Sequence, residues 1–320
     1  MSWQLPPKKS GQPLLTDLMV IVKKVNTYTG HQGAVYTIEG GNSNVIYSSG
    51  ADGQVIEWDL NNPESGRLIA KIEASVYALK FIPLSNLLII GQNFEGIHIL
   101  DVEKKEEVGS LKFTKSQIFD IQLNGESILA GTGDGYLFEI ALQDLAIRRK
   151  IKLSENSIRS IAISSDKGKI VVGCSDNAFR VLDSTTFEIV SLHEGHSNSV
   201  FSTVFDEKSD ILITGSRDAH LKLWNVDNQF EADQDIVAHM YAINDISFHP
   251  DGHLFATASM DKTIKIWNFE KRKLLKVIDK ARHNGHLTSV NKLYWSKHNN
   301  YLISGSDDRS LSVWDIQVNS

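Results

Sequence analysis

GHLTSVNKLYWSKHNNYLISGSDDRSLSVWD, residues 285–315, decides how this chain is read. It opens on Gly285-His286, closes on Trp314-Asp315, and sets Asp308 six residues before the tryptophan. The layout recurs along the chain. Trp58, Trp224, Trp267 and Trp314 are followed by Asp59, Asn225, Asn268 and Asp315, and three further units put Leu100, Ile140 and Leu182 in the tryptophan slot. The intervals between these seven positions are 42, 40, 42, 42, 43 and 47 residues. A repeat of this period, with Gly-His early and Trp-Asp late, indicates four-stranded blades set around one axis.

Each unit reads as four strands, a to d. In the first they fall near 34–38, 45–49, 54–58 and 68–72. Period-two alternation is clear in Leu221-Lys222-Leu223-Trp224 and Ile264-Lys265-Ile266-Trp267. Asp52-Gly53, Asp134-Gly135, Asp261-Lys262 and Asp308-Arg309 mark the b–c turns. Asp-Gly there predicts a two-residue hairpin with both central residues at positive φ. The strand count then shows a mismatch. The sequence ends at Ser320, just after the seventh Trp-Asp, so the last unit lacks strand d. A strand-like run at 18–25, Leu-Met-Val-Ile-Val-Lys-Lys-Val, precedes the first Gly-His, where a strand d belongs. It is expected to complete the last blade and close the ring, which removes the open edges of a linear array.

On these residues the chain resembles the WD-repeat family, with seven units over roughly residues 18–316. The matching motifs are Gly30-His31…Trp58-Asp59, Gly195-His196…Trp224-Asn225 and Gly285-His286…Trp314-Asp315, with a near match at Ala238-His239…Trp267-Asn268. The resemblance implies an all-β fold, a seven-bladed β-propeller of four-stranded antiparallel blades. It also implies a scaffold for protein complexes with no enzymatic activity of its own.

Composition narrows the function classes. Of 320 residues, 41% are hydrophobic, enough for a large core, and the formal net charge of −6 argues against a nucleic-acid partner. No apolar run approaches the roughly 18 residues of a membrane span. The opening residues lack the apolar stretch of a secretory leader. Cys174 is the only cysteine, so no internal disulfide can form, and a reduced, cytoplasmic setting is expected. Residues 1–16 are expected to be a polar mobile tail and 17–320 one propeller domain. The basic runs Arg148-Arg149-Lys150-Ile151-Lys152 and Lys271-Arg272-Lys273 fall on outermost strands, where charge protects an edge. No cofactor or metal is expected, and the chain alone is expected to be monomeric.

Four units share a polar set: His31, Ser48, Asp52, Trp58; His196, Thr214, Asp218, Trp224; His239, Thr257, Asp261, Trp267; and His286, Ser304, Asp308, Trp314. The types match a Ser-His-Asp triad, but a catalytic site is built once and this set is built once per blade. An indole donor, a hydroxyl, an imidazole and a carboxylate can satisfy one another inside a core. In the WD-repeat family the matching residues form such a blade-stabilising network. Units 2, 3 and 4 lack it, so blades 2–4 are expected to be the softer half.

Partner-binding candidates come from the slot that varies on strand a. Its first core position is always β-branched: Val35, Val76, Ile118, Ile158, Val200, Ile243 and Val290. The next residue is Tyr36, Tyr77, Phe119, Arg159, Phe201, Asn244 or Asn291. In the WD-repeat family this slot rings the channel mouth on the face carrying the Gly-His and Asp turns. Residues just before the turn Asp, including Arg217, Met260 and Asp307, join that face, with Asn93 in the degenerate unit. The 279–283 stretch, in the longest interval, is expected to be a loop there. The expected function is capture of a protein or peptide partner through an apolar anchor, with Arg159 and Arg217 holding an acidic group. The alternative is a propeller that binds or transforms a small molecule in its channel. That reading calls for a unique cluster of convergent polar groups, which the sequence does not reveal.

Overall fold

The computed structural model describes residues 19–206 and 210–319. The expected tail, 1–16, lies outside them. Seven four-stranded antiparallel sheets are present, and in six of them the strands follow one another in sequence order. The first blade contains Val35–Gly40, Val45–Gly50, Gln54–Asp59 and Asn62–Lys71, so its outer strand starts earlier than the sequence suggests. Blades 2 to 6 occupy 76–112, 118–152, 158–194, 200–237 and 243–278. Blade 7 is built from Val290–Trp295, Leu302–Ser306, Ser310–Asn319 and the N-terminal strand Met19–Thr29.

That N-terminal strand closes the ring as expected. It pairs antiparallel with the C-terminal strand from Met19↔Asn319 to Thr29↔Ser310, with a bulge between Lys24 and Asn26. The a strands of successive blades touch one another all the way round, including blade 7 against blade 1, so strand a is innermost.

The core lies between blades. Strand b is wholly buried in several of them, for example Ser127–Thr132 and Ile211–Ser216. Outer strands such as Ile147–Lys152 are mostly exposed. In five blades a glycine on strand b, Gly91, Gly131, Gly173, Gly215 or Gly305, faces the β-branched first core residue of the next blade's strand a, while Ser49 and Ala258 hold that position in blades 1 and 6. A Cβ on Gly131 would sit 2.5 Å from Ile158 Cγ2, one on Gly215 2.7 Å from Ile243 Cγ2, and one on Gly305 2.7 Å from Val35 Cγ1. Each glycine leaves a notch that the branched methyl of the next blade fills, at the packing density of a protein interior.

Two local expectations are corrected. The b–c turns are not two-residue hairpins with both residues at positive φ. In blade 1 Gly53 N donates to Gly50 O at 3.1 Å, and only the residue after the aspartate is left-handed: Gly53 at 66°, Gly135 at 79°, Lys262 at 72° and Arg309 at 67°. This is a three-residue loop of a type I turn plus one left-handed residue. It leaves Asp52 facing inward, where Oδ1 accepts Gln54 N at 3.0 Å. Likewise, the 279–283 stretch holds one helical turn, Lys280–His283, because the Asp279 carboxylate accepts Arg282 N and caps it.

Candidate functional site: the channel mouth

The four His-Asp sets form continuous hydrogen-bonded chains. Trp58 Nε1 donates to Ser48 Oγ at 2.7 Å, Ser48 Oγ lies 2.8 Å from His31 Nε2, and His31 Nδ1 lies 3.0 Å from Asp52 Oδ2. The other blades repeat this. Trp224 to Thr214 is 2.9 Å, Thr214 to His196 2.7 Å and His196 to Asp218 2.9 Å. In blade 6, Trp267 to Thr257 is 3.0 Å, Thr257 to His239 2.7 Å and His239 to Asp261 2.9 Å. In blade 7, Trp314 to Ser304 is 2.9 Å, Ser304 to His286 2.8 Å and His286 to Asp308 2.9 Å. A neutral imidazole satisfies the chain: Nδ1–H donates to the carboxylate, and Nε2 accepts the hydroxyl proton while the hydroxyl oxygen accepts the indole N–H. Ser48, Thr214, Thr257 and Ser304 are all 0% exposed, which denies a substrate access to any of these hydroxyls. Burial lowers the His31 and His239 imidazoles. Burial alone would raise the Asp218, Asp261 and Asp308 carboxyls, but hydrogen bonds from their histidines hold them well below the usual carboxylate range.

Blades 2–4 use other polar pairs. Asp176 is held by Arg180 at 2.6 Å and Ser154 at 2.7 Å in blade 4, while Thr132 donates to Asp134 at 2.6 Å in blade 3. In blade 2, His98 Nε2 lies 2.6 Å from Gln92 Oε1.

The variable slot on strand a has a structural cause. In every blade the a–b pairing skips one residue: Tyr36, Tyr77, Phe119, Arg159, Phe201, Asn244 and Asn291 are the residues passed over. A bulge residue has no cross-strand partner and its side chain is re-aimed, here into the channel mouth. The cavity below it has a volume of about 610 Å³ and is lined by all seven. Five of them form one stacked arc. Tyr36 and Tyr77 lie 4.7 Å apart, Tyr77 and Phe119 5.2 Å, and the Arg159 guanidinium sits 3.9 Å from the Phe119 ring and 4.5 Å from Phe201. The two asparagines tie their own blades to the next: Asn244 Nδ2 donates to Val290 O at 2.8 Å, from blade 6 to blade 7, and Asn291 Nδ2 to Val35 O at 3.0 Å, from blade 7 to blade 1.

Arg159 has no carboxylate partner among the described residues. Burial pulls its guanidinium down to about 10, with the nearby Arg217 charge adding to the effect, and it stays cationic at neutral pH. Arg217 is exposed, as are Met260 and Asp307. Asp307 is already engaged, accepting Asn291 Nδ2 at 2.7 Å. Asn93 departs from expectation. It is 2% exposed, and its Oδ1 accepts Ile118 N at 3.0 Å, so it fastens blade 2 to blade 3 rather than facing outward.

Below the mouth the structure brings together charged and polar residues that the sequence reading missed. Glu39, Lys80, Asp120, Gln122, Asp245 and Lys292 line the channel. Most of this polarity serves the inner strands, whose channel edge exposes backbone N–H groups. Asp120 Oδ2 accepts Ile161 N at 2.7 Å, Asp245 Oδ2 accepts Leu293 N at 2.9 Å, and Ser202 Oγ accepts Ile246 N at 3.2 Å. Lys292 Nζ pairs with Asp245 at 3.0 Å. Enclosure by the ring pushes the Glu39 and Asp120 carboxyls upward, against the pull of Lys80 and Lys292. One signal was available: position two past the recurring Val/Ile is small or polar in Thr37, Asp120, Ser160, Ser202 and Asp245.

His193/His196 and His283/His286, whose three-residue spacing could suit a metal, do not form a site. His193 stacks on Phe179 at 4.9 Å and His283 sits in the helical turn, while His196 and His286 belong to the blade chains. Among the described residues no group of three or more His, Cys, Asp or Glu could hold a metal, and no helix is long and apolar enough to cross a membrane. Burial pushes the Cys174 thiol up to about 12.

Known proteins extend these findings. The WD domain, G-beta repeat model matches residues 22–59, 187–225, 233–268 and 278–315, which contain the four complete polar chains. Protein tipD of Dictyostelium discoideum is 23% identical over 310 residues, 94% of this chain and 50% of its own length. Actin-interacting protein 1 of Caenorhabditis elegans is 22% identical over 300 residues, 90% of this chain and 47% of its own length. Nuclear distribution protein PAC1 of Arthroderma otae is 25% identical over 183 residues, 54% of this chain and 39% of its own length. The chain therefore spans half or less of the length of these relatives. The solved WD40 beta propeller domain of Doa1 superposes with a TM-score of 0.81 at 16% identity, covering 92% of this chain and 97% of that one. This chain thus carries WD repeats in four places of a closed, seven-bladed β-propeller.

Proposed function

We propose that this propeller is a non-catalytic scaffold that captures a protein or peptide partner at its channel mouth. Tyr36, Tyr77, Phe119 and Phe201 bury an apolar anchor, and Arg159 and Arg217 orient an acidic group beside it, with Met260 and Asp307 on the rim. The observation that carries this reading is the stacked arc of bulge residues, which holds a guanidinium in place without spending it on an internal carboxylate. Charge-assisted, bidentate recognition of a carboxylate suits that geometry. Because rings on both sides already hold the guanidinium, little side-chain freedom is lost on binding. A small-molecule role in the channel has less support, since the deeper carboxylates are occupied by backbone N–H groups and lysines.

The test is a quantitative pull-down from native lysate, comparing wild type with Tyr36→Ala/Phe119→Ala/Phe201→Ala after both are shown to fold equally. Selective loss of one or a few partners supports the reading. An unchanged set of partners overturns it and moves the search to the opposite face and the blade edges.

A further inference from the structure

One sector of the same face is unlike the rest. Met240 is 82% exposed, Tyr241 60%, Met260 57% and Leu287 59%. Hydrogen bonds bring these residues together. Ser259 Oγ donates to Tyr241 O at 3.2 Å and Met260 N to Ala242 O at 3.0 Å, which sets 240–241 beside 260. Asn244 Nδ2 reaches Ser289 Oγ at 3.0 Å and draws the Leu287 loop alongside. The matching positions in other blades are polar or small: Gln32 and Ser197 follow the histidine where Met240 and Leu287 do, and Ala51, Gly133 and Ser175 stand where Met260 does. The fold therefore does not require large apolar residues at these positions, and grouped exposure of this kind marks an interaction site.

Two cations flank this patch without an ion-pair partner among the described residues, whereas the exposed Asp307 nearby is engaged by Asn291. The turn tips of blades 6 and 7 are Lys262 and Arg309, both exposed and both in left-handed backbone, where blades 1 and 3 use Gly53 and Gly135. Neither has a carboxylate partner among the described residues. A cation sits where glycine would be the easier residue to accommodate, on both turns that flank the apolar cluster.

We infer that blades 6 and 7 carry a second contact zone for an acidic amphipathic segment of a partner protein, in which apolar side chains alternate with Asp or Glu. Met240, Tyr241, Met260 and Leu287 receive the apolar residues, and Lys262 and Arg309 receive the acidic ones. The zone rests on the scaffold reading and lengthens the footprint of a partner anchored at the channel mouth. Methionine suits such a surface because its flexible thioether adapts to varied apolar shapes. Residues 1–16 of this chain are the wrong occupant by sign, since they include Lys8 and Lys9 and no acidic residue.

The experiment is fluorescence anisotropy with a labelled twenty-residue peptide of alternating leucine and glutamate pairs, and with its lysine counterpart. The proteins are wild type, Lys262→Glu/Arg309→Glu, Met240→Ser/Leu287→Ser, and the channel variant Phe119→Ala/Phe201→Ala, each checked for an unchanged melting curve. Saturable binding of the acidic peptide alone is expected. It should weaken at least tenfold in both blade 6–7 variants, lose its salt dependence in the charge-reversed one, and persist in the channel variant. Equal binding of the two peptides, no saturable binding, or indifference to both blade 6–7 variants overturns the proposal. Loss in the channel variant alone overturns it while leaving the scaffold reading intact. Sedimentation that shows a dimer dissolved by Met240→Ser/Leu287→Ser would assign the patch to a second copy and also overturn it.

Discussion

The Arg159 guanidinium lies 3.9 Å from the Phe119 ring, and the ring of Phe201 is 4.5 Å away on its other side. Residues from three successive blades thus form one sandwich, and the positive charge is placed by packing rather than by a counter-ion. On the proposed function, the arrangement would tie inter-blade cohesion to recognition. Arg159→Ala should destabilise the fold by roughly 1–3 kcal/mol through two lost cation–π contacts, measured by urea denaturation. Arg159→Met should keep more of that stability yet still lose affinity for an acidic partner, measured by titration calorimetry. Equal stability of wild type and Arg159→Ala would mean that the stack contributes nothing.

Thr257→Val tests the buried chain with little change of shape. It leaves the Trp267 indole N–H and His239 Nε2 without their shared hydroxyl. Unpaired buried polar groups cost about 1–3 kcal/mol each, so a drop of that order or somewhat more in unfolding free energy is expected. The blades without this chain, 2 to 4, should show faster amide exchange than blades 5, 6, 7 and 1. Equal protection in all seven would sink that expectation.

The closing strand gives a contrast within one terminus. Deleting residues 1–12 should leave the melting temperature unchanged within error. Deleting residues 1–29 removes Met19–Thr29, bares the edge of Ser310–Asn319 and strips a cover from blade 7. That protein should melt much lower or aggregate, as an exposed hydrophobic edge does. Scanning calorimetry of both truncations decides it.

Acid should act in two stages. The His31 and His239 imidazoles lie below their ordinary value of 6.5 in the folded state, so the unfolded chain takes up protons first as pH falls. Stability is then full above about pH 7 and declines as pH drops below about 6.5, because the unfolded state binds more protons. The Asp218, Asp261 and Asp308 carboxyls, held below their ordinary 3.8, keep contributing until pH falls past that value, and their contribution is lost lower still. Melting temperature measured from pH 8 to pH 3 should be flat, then fall, then fall more steeply. The raised Glu39 and Asp120 carboxyls act in the opposite sense as pH falls, so the histidine share is read by comparison with His239→Gln. A difference between the two proteins that stays constant from pH 7 to pH 5 would contradict the assignment of a neutral buried His239.

The sequence by itself determined the blade count, the buried Trp-Ser/Thr-His-Asp chains and the use of an N-terminal strand to finish the last blade. Each rests on a pattern local to one unit of about forty residues, or on a count of such units, and a strand's alternation or a fixed interval survives in one dimension. Only the tertiary structure decided which way Tyr36, Phe119 and Arg159 point, because a bulge's direction depends on which residue the partner strand skips. It alone showed that Asp120 and Asp245 serve the N–H groups of the next blade, 41 and 48 residues ahead. It also gathered Met240, Met260 and Leu287 into one exposed sector. Contacts between blades join residues that no local pattern pairs, so the side chains that face the channel mouth become visible only when the ring is closed.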